Sequence, residues 1–161
     1  MESLPRLRVA LLWPRGFEPA TTLPLPLAYL KANLPEHLAE VRIIDCALAS
    51  LSADSDELAR RLSSFGPDVV GVSSWSPMAG EALELIRLAK RLRPDCITVL
   101  GGAHASSYAA RCLDVPELDF VFRGEAERSF RAFLEQIKEG RSDWSSVPGL
   151  VWRRAGGQPL A

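Results

Sequence analysis

Apolar runs typical of buried strands alternate five times with segments of helical spacing, and this alternation constrains the fold more than any other feature of the chain. The runs lie at residues 7–13, 41–45, 69–73, 96–100 and 119–122. The central runs are apolar on both faces, which favours a parallel sheet covered by helices on both sides. The sequence therefore predicts an α/β fold with a doubly wound, five-stranded parallel sheet. The run at 41–45 contains a charge and is expected to be an edge strand.

The segments between these runs carry apolar residues at the spacing of one helical face. Four stripes are predicted: Leu23, Leu27, Leu30 and Leu34; Leu58, Leu62 and Phe65; Ala82, Ile86, Ala89 and Leu92; and Phe130, Phe133, Leu134 and Ile137. Asp54 and Glu57 are interpreted as a capping box for the second helix. Residues 106–113 predict a short fourth helix, and residues 150–153 predict a sixth strand at an edge of the sheet.

Length and composition exclude several classes of protein. A chain of 161 residues with 47% apolar content is long enough to bury one core, so residues 1–161 are expected to form a single domain. The 19 basic and 20 acidic side chains give a net charge of −1, so neither nucleic acid nor a membrane is an expected partner. No apolar run approaches the roughly 18 residues of a membrane span, and a cytoplasmic location is expected. The three cysteines form no CxxC or CxxxCxxC motif, which argues against an iron–sulfur site.

Ligands of doubly wound sheets bind at the carboxyl ends of the strands. The loops at 14–22, 73–77, 101–106 and 123–127 follow strands there, and they are rich in glycine, hydroxyl groups and tryptophan. Gly101 and Gly102 would let a ligand approach the main chain closely, although two glycines also suit a tight turn.

Three side chains in these loops have structural alternatives to a binding role. Ser76 would also serve as the N-cap of the following helix. Trp75 would also pack on a neighbouring loop, and Glu127 would also stabilise the start of the last helix through its dipole.

Familiar functions of such sheets do not match these loops. A phosphate-binding Rossmann site needs GxGxxG after the first strand, where this chain has Trp13-Pro14-Arg15-Gly16. A receiver domain would need an aspartate at the end of the third strand, where this chain has Ser73. A flavodoxin phosphate loop is echoed only by Thr21-Thr22.

Five segments taken together resemble a known family, in order and at its spacing. They are LPLAYL at 25–30, VRIID at 41–45, PDVVGVS at 67–73, VLGGAH at 99–104 and DFVFRGE at 119–125. Over roughly residues 7–155 the chain is similar to the N-terminal cobalamin-binding domain of cobalamin-dependent radical S-adenosylmethionine enzymes. Each segment alone is a weak signal, and the combination is specific.

The resemblance implies a flavodoxin-like, Rossmann-like sheet of order 2-1-3-4-5 that holds the lower face and nucleotide tail of cobalamin. Ser73 matches the serine that meets the buried dimethylbenzimidazole tail. Gly101 and Gly102 match the glycine pair beside which the tail passes, and Gly124 and Glu125 match the Gly-Glu near the same tail. A Gly102→Val change is therefore expected to clash with the tail.

The resemblance also implies how cobalt is held. Many cobalamin domains carry a histidine after the first strand that replaces the benzimidazole, but the loop at 14–22 contains none. We therefore expect base-off cobalamin without a histidine ligand and no protein metal ligand. His104 is expected to meet the tail. The remaining expected cofactor contacts are Trp13, Arg15, Thr22, Ser74, Trp75 and Ser76, of which Trp13, Arg15 and Trp75 are candidates to shield the lower face of cobalt.

By the same resemblance, the chain is expected to be the cofactor module of a radical S-adenosylmethionine methyltransferase. S-adenosylmethionine and an iron–sulfur cluster would bind only to an absent C-terminal radical domain, toward which residues 141–161 would lead as a peripheral strand and exit segment. No catalytic residue and no turnover are expected in this chain alone. The alternatives are a stand-alone cobalamin carrier or sensor, and a small flavin- or nucleotide-binding flavodoxin-like protein.

Overall fold

The computed structural model of the protein describes residues 5–16, 23–153 and 159–160. Its strands are β1 Leu7–Trp13, β2 Ala39–Asp45, β3 Val69–Ser73, β4 Ile97–Gly101, β5 Phe120–Phe122, β6 Leu150–Arg153 and β7 Pro159–Leu160. Its helices are α1 Leu25–Ala32, α2 Asp56–Phe65, α3 Ala79–Leu92, α4 Ala103–Cys112 and α5 Glu127–Lys138. Short 3-10 turns lie at Ser76–Met78 and Trp144–Ser146.

One sheet of order β2-β1-β3-β4-β5-β6-β7 contains all the described strands. Strands β1 to β5 are parallel, which confirms the doubly wound α/β fold and the order 2-1-3-4-5. Strand β2 lies at an edge, as its internal charge predicted. The predicted sixth strand is present as β6, which pairs antiparallel with β5. Its predicted position at the edge of the sheet was wrong, because β7 pairs along its other side.

The two faces of the sheet have separate cores because successive strand residues point to opposite sides. Helices α1 and α5 cover the face that carries Leu11, Val99 and Phe122. Helices α2, α3 and α4 cover the other face. The predicted stripe of the last helix is confirmed at Phe130, Phe133 and Leu134, which are all at least 98% buried, and Ile137 packs at its margin.

Helix α2 begins one residue later than the predicted capping box requires. The cap is Ser55, whose hydroxyl accepts a hydrogen bond from the Leu58 backbone N–H at 3.4 Å. Glu57 is then too near the helix start to close a box, and its carboxylate pairs with Arg61 at 2.8 Å. The Asp54 carboxylate accepts a hydrogen bond from the Ser52 hydroxyl instead.

The ends of two predicted stripes were also wrong. Leu23 precedes helix α1 and is 69% exposed, because the helix begins only at Leu25. Leu92 is the last residue of α3 and is 38% exposed, while Leu85 and Leu88 are buried on that helix. Helix α4 begins directly after the glycine pair, earlier than predicted.

Arg153 fastens the end of β6 to the loop between α4 and β5. Its guanidinium donates hydrogen bonds to four backbone carbonyls in the loop at 113–118 and has no carboxylate partner among the described residues. Because hydrogen bonds from a charged donor contribute about 1.5–3 kcal/mol, Arg153→Met is expected to lower the free energy of unfolding by about 2 kcal/mol in urea denaturation. Arg60→Met, at an exposed ion pair, should change it by less than about 0.5 kcal/mol. Equal effects of the two changes would contradict this role.

No described helix is long and apolar enough to cross a membrane, and no described group of His, Cys, Asp and Glu is arranged to bind a metal ion.

All three cysteines are buried. Burial, followed by the charges of Glu81 and Asp45, raises the pKa of Cys46 to about 12, so its thiol stays protonated at neutral pH.

Candidate functional site

Three small residues form a trough on the sheet face beneath α1 and α5. Gly71 and Ser73 lie two positions apart on β3 and so share this face, and Ser73 is the register partner of Gly101 on β4. Gly71 pairs with Leu11 on one side and Val99 on the other, and both of those are large and buried. A Cβ at Gly71 would lie 2.9 Å from Leu11 Cδ2. The strand sequences therefore leave the sheet surface low at its centre and high on both sides.

Helices α1 and α5 roof this trough and enclose a cavity of about 300 Å³. That volume is at the lower end of the roughly 300–1,000 Å³ of small-molecule sites. The cavity walls are Leu11, Pro26, Leu27, Leu30, Gly71, Val72, Ser73, Trp75, Val99, Gly101, Gly102, Ala103, Ser106, Phe122, Gly124, Glu125, Ala126, Glu127 and Phe130. The cavity lies at the carboxyl ends of the strands, where the sequence predicted a site, and it suits a flat, mostly apolar group.

Two hydroxyl groups line the cavity, and they differ in their hydrogen bonds. Ser106 donates to the Gly102 carbonyl at 3.0 Å and accepts from the Gly124 N–H at 2.9 Å. It thereby joins the loop after β4 to the loop after β5. Ser73 is 93% buried, and its hydroxyl forms no hydrogen bond with any described residue. No described residue therefore competes with a ligand for the Ser73 hydroxyl.

Gly101 and Gly102 differ in their backbone conformation and in what a larger side chain would contact. Gly102 has φ of +93°, and a Cβ there would lie 2.6 Å from the Ser74 carbonyl oxygen and 2.8 Å from the Ser74 nitrogen. Gly102→Val was expected to clash with a bound tail. Its side chain would already collide with the Ser74 backbone in the protein without a ligand. Gly101 has no φ constraint of this kind, and among the described residues no heavy atom beyond its chain neighbours lies within 4 Å of its Cβ position. The space beside Gly101 belongs to the cavity.

Ser74 and Ser76 lie outside the cavity lining. Ser74 is fully buried, its hydroxyl donates to the Trp75 carbonyl at 3.0 Å, and its N–H donates to the Gly101 carbonyl at 2.9 Å. Ser76 does not cap helix α3 with its side chain. Its hydroxyl lies 3.1 Å from His104 Nδ1. These residues hold the loop after β3 against the loop after β4.

The two tryptophans form a pair at the top of the sheet. Trp75 is 50% exposed and lines the cavity, whereas Trp13 is 97% buried behind it. Their rings meet edge to face with centroids 6.2 Å apart, a favourable aromatic geometry. Trp13 is thus placed to orient Trp75.

The remaining predicted contacts are distributed around this edge. Gly124 and Glu125 line the cavity at its exposed side, and Arg15 is exposed and outside the lining. The His104 ring packs against Tyr108 with centroids 5.1 Å apart and is also outside the lining. Thr22 lies outside the described residues.

Sequence reasoning missed the roof of the cavity. Leu27, Leu30 and Phe130 were interpreted only as core stripes of their helices, and they are that as well. Their second role depends on α1 and α5 lying side by side on one face, which follows from the strand order. The glycine at position 71, inside an otherwise apolar strand, was the available sign of a close approach.

Comparison with known proteins places this geometry in a family. The model of the B12 binding domain family matches residues 19–134. Cytidylyl-2-hydroxyethylphosphonate methyltransferase of Streptomyces wedmorensis is 35% identical over 156 residues, which cover 87% of this chain and 29% of that protein.

Two solved structures share the fold. The radical S-adenosylmethionine methyltransferase TsrM from Kitasatospora setae, with cobalamin and a [4Fe-4S] cluster bound, has a TM-score of 0.78 and 23% identity over 94% of this chain and 28% of its own. The cobalamin-dependent S-adenosylmethionine radical enzyme OxsB, with aqua-cobalamin and S-adenosylmethionine bound, has a TM-score of 0.79 and 22% identity over 98% of this chain and 22% of its own. This chain thus spans less than a third of each of these relatives. The family match covers most of the sequence and includes the trough and its roof, and the chain belongs to the B12-binding domain family.

Proposed function

We propose that this domain holds cobalamin base-off, with the displaced nucleotide tail in the cavity under α1 and α5 and no histidine on the cobalt. The observation that carries the proposal is the trough of Gly71, Ser73 and Gly101, where the hydroxyl of a buried serine has no described partner and faces a mostly apolar space. A displaced dimethylbenzimidazole offers a flat apolar ring and one ring nitrogen that accepts a hydrogen bond. The Ser73 hydroxyl supplies the matching donor.

The other residues of the edge have roles that follow from their positions. Gly101 leaves room for the tail, and Gly102 lets its loop pass close to Ser74. Gly124 and Glu125 border the open side of the cavity, where the tail would enter. The half-exposed ring of Trp75 is the best placed of the candidates to shield the lower face of cobalt, and Trp13 supports it from behind. Arg15 is exposed nearby and is the remaining candidate.

The domain acts in this proposal as the cofactor module of a larger radical S-adenosylmethionine methyltransferase. When bound, cobalamin supplies a cobalt centre for methyl-group transfer. Support comes from the relatives, which include methyltransferases and are more than three times as long as the region they share with this chain. S-adenosylmethionine and the iron–sulfur cluster would bind to a C-terminal radical domain, with residues 141–161 leading toward it. The 161-residue chain alone would bind the cofactor without turnover.

Titration of the purified chain with hydroxocobalamin tests the proposal. We expect a saturable one-to-one complex and an absorption spectrum of base-off cobalamin. Flavin mononucleotide, titrated in parallel, should not bind. Retention of a yellow flavin, with no change in the cobalamin spectrum, would contradict the proposal and favour a flavodoxin-like function.

Replacement of His104 is expected to have a small effect. The His104 ring lies against Tyr108 and Ser76 and does not line the cavity, so His104→Ala should weaken cobalamin binding by less than about tenfold, the equivalent of one hydrogen bond. The absorption spectrum of the bound cofactor should stay the same. Equilibrium titration and the spectrum of the complex measure both quantities, and a spectral change in the variant would show that His104 reaches the cobalt.

A further inference from the structure

We infer that the cavity also selects the lower base of the corrinoid, accepting benzimidazole-type bases and disfavouring purines. The inference rests on the proposed function, because it concerns which nucleotide tail the cavity takes. Corrinoids with the same cobalt and ring differ in this base, which is dimethylbenzimidazole in cobalamin, adenine in one group of analogues and a phenol in another. A cavity that receives the base can therefore distinguish them.

Few polar groups are available inside the cavity. Two described side-chain donors in the lining have no described partner, the Ser73 hydroxyl and the indole N–H of Trp75, and only Ser73 is buried. The proton of Ser106 is donated to Gly102. The two carboxylates of the lining are on Glu125, which is exposed, and Glu127, which is half-buried at the start of α5. Neither carboxylate belongs to the buried part of the lining. The deep wall consists of apolar side chains and glycine, namely Leu11, Leu27, Gly71, Val99, Phe122 and Phe130.

The polar and apolar groups of the cavity lining complement a benzimidazole base but not a purine base. A displaced dimethylbenzimidazole needs one hydrogen-bond donor at its ring nitrogen and apolar surroundings for its methylated edge. Adenine carries further ring nitrogens and an amino group on the edge that would face the deep wall. Those groups would lose their water without gaining partners, and buried polar groups without partners are costly.

The expected selectivity has a physical limit. An apolar pocket rejects a similar-sized ligand with an added polar group by about a hundredfold at most. We therefore expect the adenine-containing corrinoid to bind about tenfold to a hundredfold more weakly than cobalamin. A cobinamide, which lacks the nucleotide, should also bind more weakly than cobalamin because it leaves the cavity unused.

Equilibrium titration of the full chain with cobalamin, adeninylcobamide and cobinamide tests the inference. Cobalamin should bind best of the three. Equal or tighter binding of adeninylcobamide would overturn the selectivity while leaving the proposed function intact. Failure of all three corrinoids to bind would instead overturn the proposed function, and equal binding of cobinamide and cobalamin would show that the tail does not use the cavity.

The variant Ser73→Ala tests whether the Ser73 hydroxyl donates a hydrogen bond to the lower base. Ser73→Ala removes the hydroxyl and leaves the cavity shape, so it should weaken cobalamin binding about fivefold, the equivalent of one hydrogen bond. Binding of a p-cresolyl cobamide, whose base has no ring nitrogen, should not change. Ser107→Ala, at an exposed position on α4 outside the lining, is the matched control and should alter neither affinity. An unchanged ratio of the two affinities in Ser73→Ala would overturn the assignment of Ser73.

Discussion

Gly101→Val is expected to weaken cobalamin binding by about tenfold to a hundredfold while leaving the free energy of unfolding almost unchanged. Apart from its two chain neighbours, no heavy atom of the described residues lies within 4 Å of the Gly101 Cβ position, so a side chain at this position begins in open space. The added methyl groups would occupy the trough beside Ser73, where the tail is proposed to lie. Forcing extra carbons into a filled site costs about 1–3 kcal/mol, which gives the expected loss of affinity. Titration with hydroxocobalamin and urea denaturation measure the two quantities.

Two other glycines serve as controls for this variant. Gly80 is exposed on α3 and lies outside the cavity, and no described heavy atom beyond its chain neighbours and its own helix backbone lies within 4 Å of its Cβ position. Gly80→Val should therefore change neither binding nor stability appreciably. Gly102→Val should lower stability, because its side chain would collide with the Ser74 backbone at a positive φ. Full affinity in a stable Gly101→Val protein would contradict the proposed position of the tail.

Phe133→Ala is expected to lower the free energy of unfolding by about 3–5 kcal/mol. Phe133 is fully buried, and its ring centroid lies 5.0 Å from that of Phe120, 5.5 Å from that of Phe122 and 5.2 Å from that of Trp144. The ring therefore fixes α5 on the sheet, and its removal would leave a large cavity among aromatic side chains. Urea denaturation monitored by circular dichroism measures the loss.

Phe133→Leu is the matched control for this variant, because it removes the aromatic ring but keeps a large apolar side chain. Leucine keeps most of the apolar volume, so the expected loss is below about 1.5 kcal/mol. Because α5 roofs the cavity, Phe133→Ala should also weaken cobalamin binding at urea concentrations where it is still folded. A loss under 1 kcal/mol in Phe133→Ala would show that α5 is not anchored by this aromatic cluster.

The sequence predicted the elements that have a strong periodic signal. The runs that form β1, β3 and β4 are short and mostly apolar, which is typical of buried strands. The apolar residues of α5 are spaced to form one buried helical face. The strand order came from the family resemblance and not from periodicity. A cavity lies at the edge where the sequence predicted the binding site, because parallel strands bring their following loops together.

The features that the sequence missed depend on local geometry or on contacts between distant segments. Ser55 caps α2 because the backbone there is extended, whereas Asp54 one residue earlier had an equally suitable side chain. Leu92 is exposed because α3 ends at that residue. The link that Ser106 makes between two loops joins residues 18 positions apart and leaves no pattern in the sequence.

The most direct test of the account is electron paramagnetic resonance of the reduced Co(II) form of cobalamin bound to this domain. If the tail lies in the cavity and no histidine reaches the metal, no nitrogen atom coordinates the cobalt from below. The spectrum should then lack nitrogen superhyperfine splitting. Splitting into triplets would show a nitrogen ligand on cobalt, either a base still attached or a histidine, and would contradict base-off, histidine-free binding.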